Sequence, residues 1–501
     1  MIHKYKIFIY FLLFAFLFTN TGCKKFVDVG APETSTNAEN VYASDATAIA
    51  VLSGLYTNIS RLWGFSQGDR GISMLSGLSA DDFSLMSGAD ATLTRYYSNS
   101  LLVTATIASG TEYWSPLYDA IYTCNSAIEG LVASNSLTPL VKKQLLGEAM
   151  FIRAFMYFYL VNFFGDVPLV VTTDHKINAT MPRTPQIQVY NQIIQDLKEA
   201  VDLLSAEYLD KNLIPYTAGS EERVRPTKWA AAALLARAYL YNGNLTGDAG
   251  NYANAETQAS IVISSSLFNI PLPALNSVFL KNSAEAIWQL QPVNTEFNTE
   301  DAKTFIITST GLNSTNPVCL SNFLLNAFES GDQRKTSGNW VNSIVVGGDT
   351  LYYPYKYKVN LNNPSITSAT GTTNMTEYLM VLRLGEQYLL RAEAKAQQNK
   401  ISEAQSDLNA VRIRAGLLPT TANYKNSLLS AILRERQVEL FTEWGHRWLD
   451  LKRTNTVDAV MSIVTPQKSS LGSPWKSYQQ LYPLPYRELQ TNPALLQNQG
   501  Y

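Results

Sequence analysis

Histidine and cysteine are nearly missing from this chain, with three of each in 501 residues. His3 lies in an N-terminal leader described below, which leaves His175 and His446 to the body. A metal site built on three histidines is thereby excluded, and a histidine-centred catalytic triad has little to draw on. Once Cys23 is set aside, Cys124 and Cys319 cannot make a disulfide framework, and whether the two pair is open. Charge of one sign is lacking too. Lys and Arg number 39 against 41 Asp and Glu, a formal net of -2 that gives no general attraction to nucleic acid or acidic membranes. Beyond the leader no apolar run is long enough to cross a bilayer. There is no glycine-rich phosphate loop ending in Lys-Ser/Thr, and no nucleophile elbow.

What the chain does have begins at its first residues. Lys4 and Lys6 precede an almost unbroken apolar run from Ile7 to Phe18, followed by Thr19-Asn20-Thr21-Gly22-Cys23. A charged start, a short apolar centre and small residues before a cysteine predict a lipoprotein signal peptide over 1–22. Cleavage after Gly22 leaves Cys23 first, able to carry a diacylglycerol on its thiol and a third acyl chain on its amine. Each buried methylene contributes about 0.8 kcal/mol, so several chains anchor firmly. Asn20 stands where such a box usually has Leu. Residues 23–40 are polar, with Pro32, Ser35 and Thr36, and read as a lipidated tether.

The body, 41–501, is patterned mainly for helix. Val41, Ala46, Ile49, Leu52, Leu55, Tyr56 and Ile59 recur at helical spacing. Helices follow over 113–131 and 142–164, the second apolar on nearly every face and hence buried on several sides. Gly165-Asp166-Val167-Pro168 stops it, and Pro185 opens another helix over 189–204. Two stretches look like copies of one helical hairpin. One runs from Trp229 to Tyr241, turns at Asn242-Gly243-Asn244 and resumes near Tyr252, Ala255 and Ala259. The other leads from Tyr388 to Ala394, turns at Asn399-Lys400 and continues through Ala404, Leu408 and Val411. Small residues at this spacing match the tetratricopeptide pattern and imply a right-handed superhelix of helical pairs. The expected fold is therefore mainly α, a tetratricopeptide-like scaffold over about 41–62, 110–265 and 376–501.

Two segments, about 63–109 and 268–375, break the pattern. Both are rich in Gly, Ser, Thr, Asn or Asp and carry aromatics; short strands are expected at 286–291 and 353–359. Loops on rigid scaffolds commonly carry binding residues, so these segments are assigned to the ligand face. Aromatics make up 11% of the chain, including 28 tyrosines, and most belong to the core. The useful ones for binding are rings in polar, irregular surroundings, because a sugar's C–H face stacks on a ring while its hydroxyls need polar partners. Trp63 near Asp69 and Arg70, Tyr96 near Arg95 and Asn99, and Trp340 near Asn339 and Asn342 fit this description, as does Asp81 as a polar contact. Trp114, Trp229, Trp288 and Trp448 sit in regular elements and read as core.

Enzymatic readings find little support. Glu439, Glu443 and His446 fall at i, i+4 and i+7 of a helix expected over 434–453, and Glu443 with His446 has the Glu-x-x-His spacing of di-iron bundles. Such a site needs a second copy, and His175 has no glutamate three residues before it. Arg-Glu pairing through Arg434, Arg436 and Arg447 is the simpler account. Asp81 and Asp82 are adjacent, so their side chains diverge where a glycosidase needs two carboxyls facing across a sugar. No cofactor is implied; scattered Asp and Asn leave structural calcium open, but no dedicated loop spacing supports it.

These segments, in this order and spacing, resemble the SusD/RagB family of Bacteroidota outer-membrane lipoproteins. The likeness is carried by Arg153 to Val161 through Gly165-Asp166-Val167-Pro168-Leu169-Val170, by Arg183-Thr184-Pro185 with Val189-Tyr190, and by Leu382-Arg383-Leu384 through Tyr388 to Ala394. Leu408 to Arg412 with Arg414-Ala415-Gly416-Leu417, then Arg434 to Arg453, Tyr482-Pro483-Leu484-Pro485 and Asn498-Gln499-Gly500-Tyr501 complete it. The resemblance implies a non-catalytic protein that binds glycan or oligosaccharide, sits on the outer membrane, and caps a SusC-like TonB-dependent transporter. Some relatives handle peptides or glycoprotein glycans instead, and a protein-interaction scaffold or adhesin is the rival reading. Many surface-exported relatives have acidic residues after the lipid cysteine; Lys24 and Lys25 stand there in this chain, leaving surface or periplasmic orientation open.

Overall fold

The apolar periodicity becomes a row of helices. A computed structural model describes residues 41–61, 65–268, 271–293, 298–360, 375–468 and 474–501; the signal peptide 1–22, Cys23, the tether to residue 40 and Trp63 lie outside them. In chain order come α1 (Asp45–Arg61), α2 (Ile72–Ser79), β1 (Phe83–Leu85), α3 (Ala91–Tyr97), α4 (Trp114–Ala133), α5 (Pro139–Phe164) and α6 (Gln186–Leu203). Then follow α7 (Lys228–Thr246), α8 (Ala249–Ile263), β2 (Ala286–Leu290), α9 (Glu300–Phe305), β3 (Val318–Leu320), α10 (Asn322–Ala327), β4 (Val341–Val346) and β5 (Asp349–Pro354). The chain continues with β6 (Leu379–Arg383), α11 (Leu384–Gln397), α12 (Ile401–Arg414), α13 (Lys425–Glu439), α14 (His446–Arg453) and α15 (Val457–Lys468). Helices α4 to α8 each pack on the next, α8 packs on α11, and α11 on α12 and α13. This is the expected mainly α scaffold of helical pairs.

Residue size sets how closely these helices approach. A Cβ on Gly147 of α5 would lie 2.9 Å from Leu204, and one on Gly243 of α7 would lie 2.8 Å from the Tyr252 ring of α8. Both hairpins read from the sequence are present. The first turns later than expected: α7 runs on to Thr246, and Gly247, at φ 72°, makes the left-handed turn. The second turns at Asn399, at φ 61°. Helix α5, apolar on all sides, is buried along nearly its whole length after Lys143, with Phe155, Tyr159 and Trp288 meeting edge to face.

The two irregular segments are not alike. From Phe65 to Phe83 almost every residue is buried, including all of α2, so this part of the first segment is interior plug and not ligand face. Helical periodicity fails there because the short helix is enclosed on every side and has no polar stripe. In the second segment, the strand expected at 286–291 is present as β2, which pairs antiparallel with β6 and is wholly buried. The strand expected at 353–359 lies earlier: β5 ends at Pro354 and pairs with β4 through the Gly347-Gly348 turn, whose φ angles of 63° and 96° only glycine adopts easily. Strand β3 joins the two segments by pairing with β1, Phe83 opposite Leu320 and Leu85 opposite Val318.

The helix expected over 434–453 is two helices. Between α13 and α14, Thr442, Trp444 and Gly445 all take positive φ, at 56°, 47° and 70°. Glu439, Glu443 and His446 therefore do not share one helix face. The turn is held by Trp444, whose indole packs among Phe65, Phe155 and Tyr159 and donates to the Met380 carbonyl at 2.7 Å.

Candidate functional site

Beneath the β4–β5 hairpin lies a buried ionic cluster. Arg383, at the end of β6, pairs with Glu285 at 2.8 Å, Glu439 at 2.6 Å and Glu443 at 2.7 Å. Arg334, just before β4, pairs with Asp332, Glu435 and Glu439 at 2.7 to 2.8 Å. Arg414 contacts Glu285 and Glu439, and Lys356, just after β5, pairs with Glu443 at 2.5 Å. Burial opposes the Glu439 charge, but Arg414, Arg383 and Arg334 hold its carboxyl far below the ordinary carboxylate range. Burial draws Lys356 down to about 8 against the pull of Glu443. Pairing of this kind stabilises mainly because breaking it strands a buried charge. Arg-Glu pairing was legible in the sequence, but its partners were not. Arg436 pairs with Asp450, Arg447 with Asp81, and Arg434 donates to the Ala327 carbonyl, while Glu439 and Glu443 take arginines from distant segments.

Three residues expected at the ligand face are structural. Trp340 has no exposed surface; its Nε1 donates to the Leu275 carbonyl at 2.9 Å, and Lys356, Arg414 and Arg383 lie 4.8, 5.2 and 5.6 Å from its ring. It roofs the cluster, and a ring without accessible surface cannot stack a sugar. Tyr96 is likewise fully buried, donating to Glu112 at 2.6 Å and packing on Tyr482. Asp81 makes two 2.7 Å bonds with Arg447, tying the first irregular segment to α14; burial opposes its charge, and Arg447 more than offsets this, lowering its pKa. Asp82 beside it is pushed up to about 7 by burial and by the Asp81 charge, so the pair are unequal acids in a closed interior, not facing catalytic carboxyls. His446 is buried, and burial and Arg237 depress its pKa well below the ordinary value, leaving a neutral ring. Cys124 and Cys319 are free and not bonded to each other. Among the described residues no group of three metal-ligating side chains occurs, and no helix is long and apolar enough to cross a membrane.

What the two irregular segments do build is a polar crown of loops at one end of the β strands. Met86, following β1, donates its backbone N–H to the Pro317 carbonyl at 2.8 Å, which sets the 86–90 loop against the chain leading into β3. That chain in turn touches the hairpin: a Cβ on Gly311 would lie 3.0 Å from Val346. Asp90 closes one side, capping α3 through the N–H groups of Thr92 and Leu93 and pairing with Arg70 at 3.1 Å. Thr308, Ser309, Thr310, Ser314 and Thr315 are exposed, and Asn313 organises their loop by accepting from Thr315 and Asn316.

The hairpin supplies an exposed ring. Strand pairing puts Tyr352 opposite Ser343, with Val345 and Thr350 next along the same face. Tyr352 is 38% exposed, whereas its neighbour Tyr353, on the other face, is 6% exposed. Tyr352 was missed in the sequence because the strand was placed too late. The Gly-Gly turn, which fixes the register, was the available signal.

The SusD family profile matches residues 326–501, and a second profile, starch-binding associating with outer membrane, matches residues 78–240. SusD-like protein P25 of Formosa agariphila is 24% identical over 98% of this chain and 99% of its own length. Surface glycan-binding protein A from Bacteroides uniformis superposes with a TM-score of 0.72 at 20% identity, covering 91% of this chain and 99% of its own. A laminarin-binding SusD-like protein superposes with a TM-score of 0.71 at 23% identity, with the same coverage. The two profiles together match more than half of the chain, and relative and fold agree along nearly all of it; the chain belongs to the SusD/RagB family, a family of non-enzymatic binding proteins.

Proposed function

We propose that this protein captures glycan or oligosaccharide without cleaving it and delivers it to a SusC-like TonB-dependent transporter in the outer membrane. The observation that carries the reading is the exposed Tyr352 ring, which shares its strand face with Ser343 and Thr350 on the hairpin that borders the hydroxyl- and amide-rich crown. A ring offers its face to the C–H side of a sugar, and the neighbouring Ser343 and Thr350 hydroxyls supply directional partners for its hydroxyls. The profile description and the two glycan-binding structural relatives support the same ligand class. Trp63, in sequence just before Asp69 and Arg70, stays a candidate contact. Peptide as ligand is the second reading, and the same measurement separates it.

Affinity electrophoresis through gels containing laminarin, starch, xylan or mannan tests the proposal. At least one polysaccharide should retard the protein, and Tyr352→Ala should weaken that retardation about tenfold. No retardation by any polysaccharide, or an unchanged Tyr352→Ala, would overturn it. Attachment rests on Cys23: Cys23→Ser should release the protein from membranes, and continued retention would count against the anchor. Co-purification of a large β-barrel with the lipidated protein tests the transporter partnership, and protease digestion of intact cells decides which side of the membrane the body occupies.

A further inference from the structure

A second site is built where the scaffold meets the 208–225 loop, apart from the residues of the crown. A cavity of about 410 Å³ lies between α1, this loop and the end of β2. That volume falls in the range of about 300–1,000 Å³ typical of small-ligand sites. Its floor is rigid. Arg225 donates to both Glu148 oxygens at 3.0 and 2.8 Å and to Ser53 at 2.9 Å, and the Tyr56 hydroxyl donates to Glu148 at 2.7 Å. The two buried charges of the floor cancel, so it offers a ring edge and fixed polar atoms with no net charge.

The loop above is preorganised. Leu209 bridges to Pro215, the Tyr216 N–H donates to the Tyr208 carbonyl at 3.3 Å, and the Asp210 carboxylate accepts from the N–H groups of Asn212 and Ile214 at 2.8 and 2.9 Å. This holds Lys211 and the half-buried Tyr216 at the cavity, opposite Gln291. No other described residue hydrogen-bonds or ion-pairs with the Lys211 ammonium, the Tyr216 hydroxyl or the Gln291 side-chain amide, and all three line the cavity. The lining combines apolar walls from Leu209, Val224, Leu290 and Val293 with two tyrosines, an amide, a hydroxyl, an ammonium and the carboxylates of Asp210 and Glu222. Apolar walls carrying fixed hydroxyl, amide and charged groups suit a ligand that is itself apolar on one side and hydroxyl-bearing on the other. Lys211, the one lining cation without an ion pair among the described residues, is balanced by neighbouring Asp210, which disfavours an anion.

We infer that this cavity is a second carbohydrate site, taking the end of a neutral oligosaccharide with Tyr56 and Tyr216 as its rings and Lys211 and Gln291 as hydrogen-bond donors. It deepens the proposed glycan binding, since two sites on one body hold a long chain more tightly than either alone. Ligand-observed saturation-transfer NMR on the full mature protein, with maltotriose, laminaritriose, xylotriose and mannotriose as probes, tests it in the Tyr352→Ala background. At least one trisaccharide should still bind there, and adding Tyr216→Ala, or Thr57→Trp to fill the cavity mouth, should weaken that binding at least tenfold with the unfolding midpoint unchanged. Residual binding that neither substitution alters overturns the second site. Binding abolished by Tyr216→Ala but untouched by Tyr352→Ala supports the cavity while removing the crown. No binding of any trisaccharide, or binding of tripeptides in their place, overturns the ligand class.

Discussion

Trp340 and Tyr352 belong to one small hairpin module, Trp340 beside Asn339 and Tyr352 between Leu351 and Tyr353, yet they do the opposite of what those neighbours suggest. Trp340 is sunk against Phe279 and three cations, while Tyr352 stands in solvent opposite Ser343. The difference is not local composition. Trp340 sits at the base of the hairpin, where Arg334 and Lys356 plunge into the ionic cluster, whereas Tyr352 lies mid-strand on the open face. An aromatic among asparagines is thus a poor guide to a sugar platform until strand register says which way it points.

The sharpest way to break the comparison is at the base. Arg383→Met removes the guanidinium shared by Glu285, Glu439 and Glu443 and should cost about 3–5 kcal/mol in urea unfolding, the range for stranding a buried charge. Trp340→Ala should cost a similar amount, about 3–5 kcal/mol, through the void it leaves. A loss below 1 kcal/mol in either would show that the base does not anchor the hairpin.

A smaller effect should follow pH. Asp301 accepts from the Gly68 N–H at 2.9 Å, and burial raises its pKa from 3.8 to about 7. Between those values the folded protein keeps a proton that the unfolded chain has released, so this group lowers stability as pH rises from about 4 to 7. Asp301→Asn keeps the acceptor without the charge, and relative to wild type it should gain roughly 2–4 kcal/mol between pH 4 and pH 7.5. Parallel stability curves for the two proteins would refute that assignment. On the open face of the hairpin the expected effect on folding is the smallest: Tyr352→Ala should shift stability by less than about 1 kcal/mol while weakening glycan binding about tenfold, near 1.4 kcal/mol.

The helical scaffold was legible because its signal is local. Small residues at the α7–α8 and α11–α12 hairpins and the apolar surround of α5 mark helices and their neighbours without knowledge of the rest. The proposed ligand face was legible only in outline. That the two irregular segments meet follows from β1 pairing with β3, a contact across more than 230 residues that no window of sequence contains. The same blindness explains Asp81, Tyr96 and Trp340. Their partners, Arg447, Glu112 and the Leu275 carbonyl with the cluster beneath, come from elsewhere in the chain and remove the side chains from solvent. Glu439 and Glu443 were recognised as arginine partners but assigned to one continuous helix, because left-handed angles at Thr442 and Trp444, imposed by packing of the indole, carry no signature in residue type.

The Gly347-Gly348 turn has a consequence for how such a surface could change over generations. Neither glycine has any atom within 4 Å of where a side chain would begin, so the tip borders open space. Insertions there would lengthen the hairpin outward without disturbing Lys356 or Arg334 at its root. Under the proposed reading, ligand preference can drift at the rim while the clamp below stays constant, which separates the part of the protein that meets the ligand from the part that must keep folding.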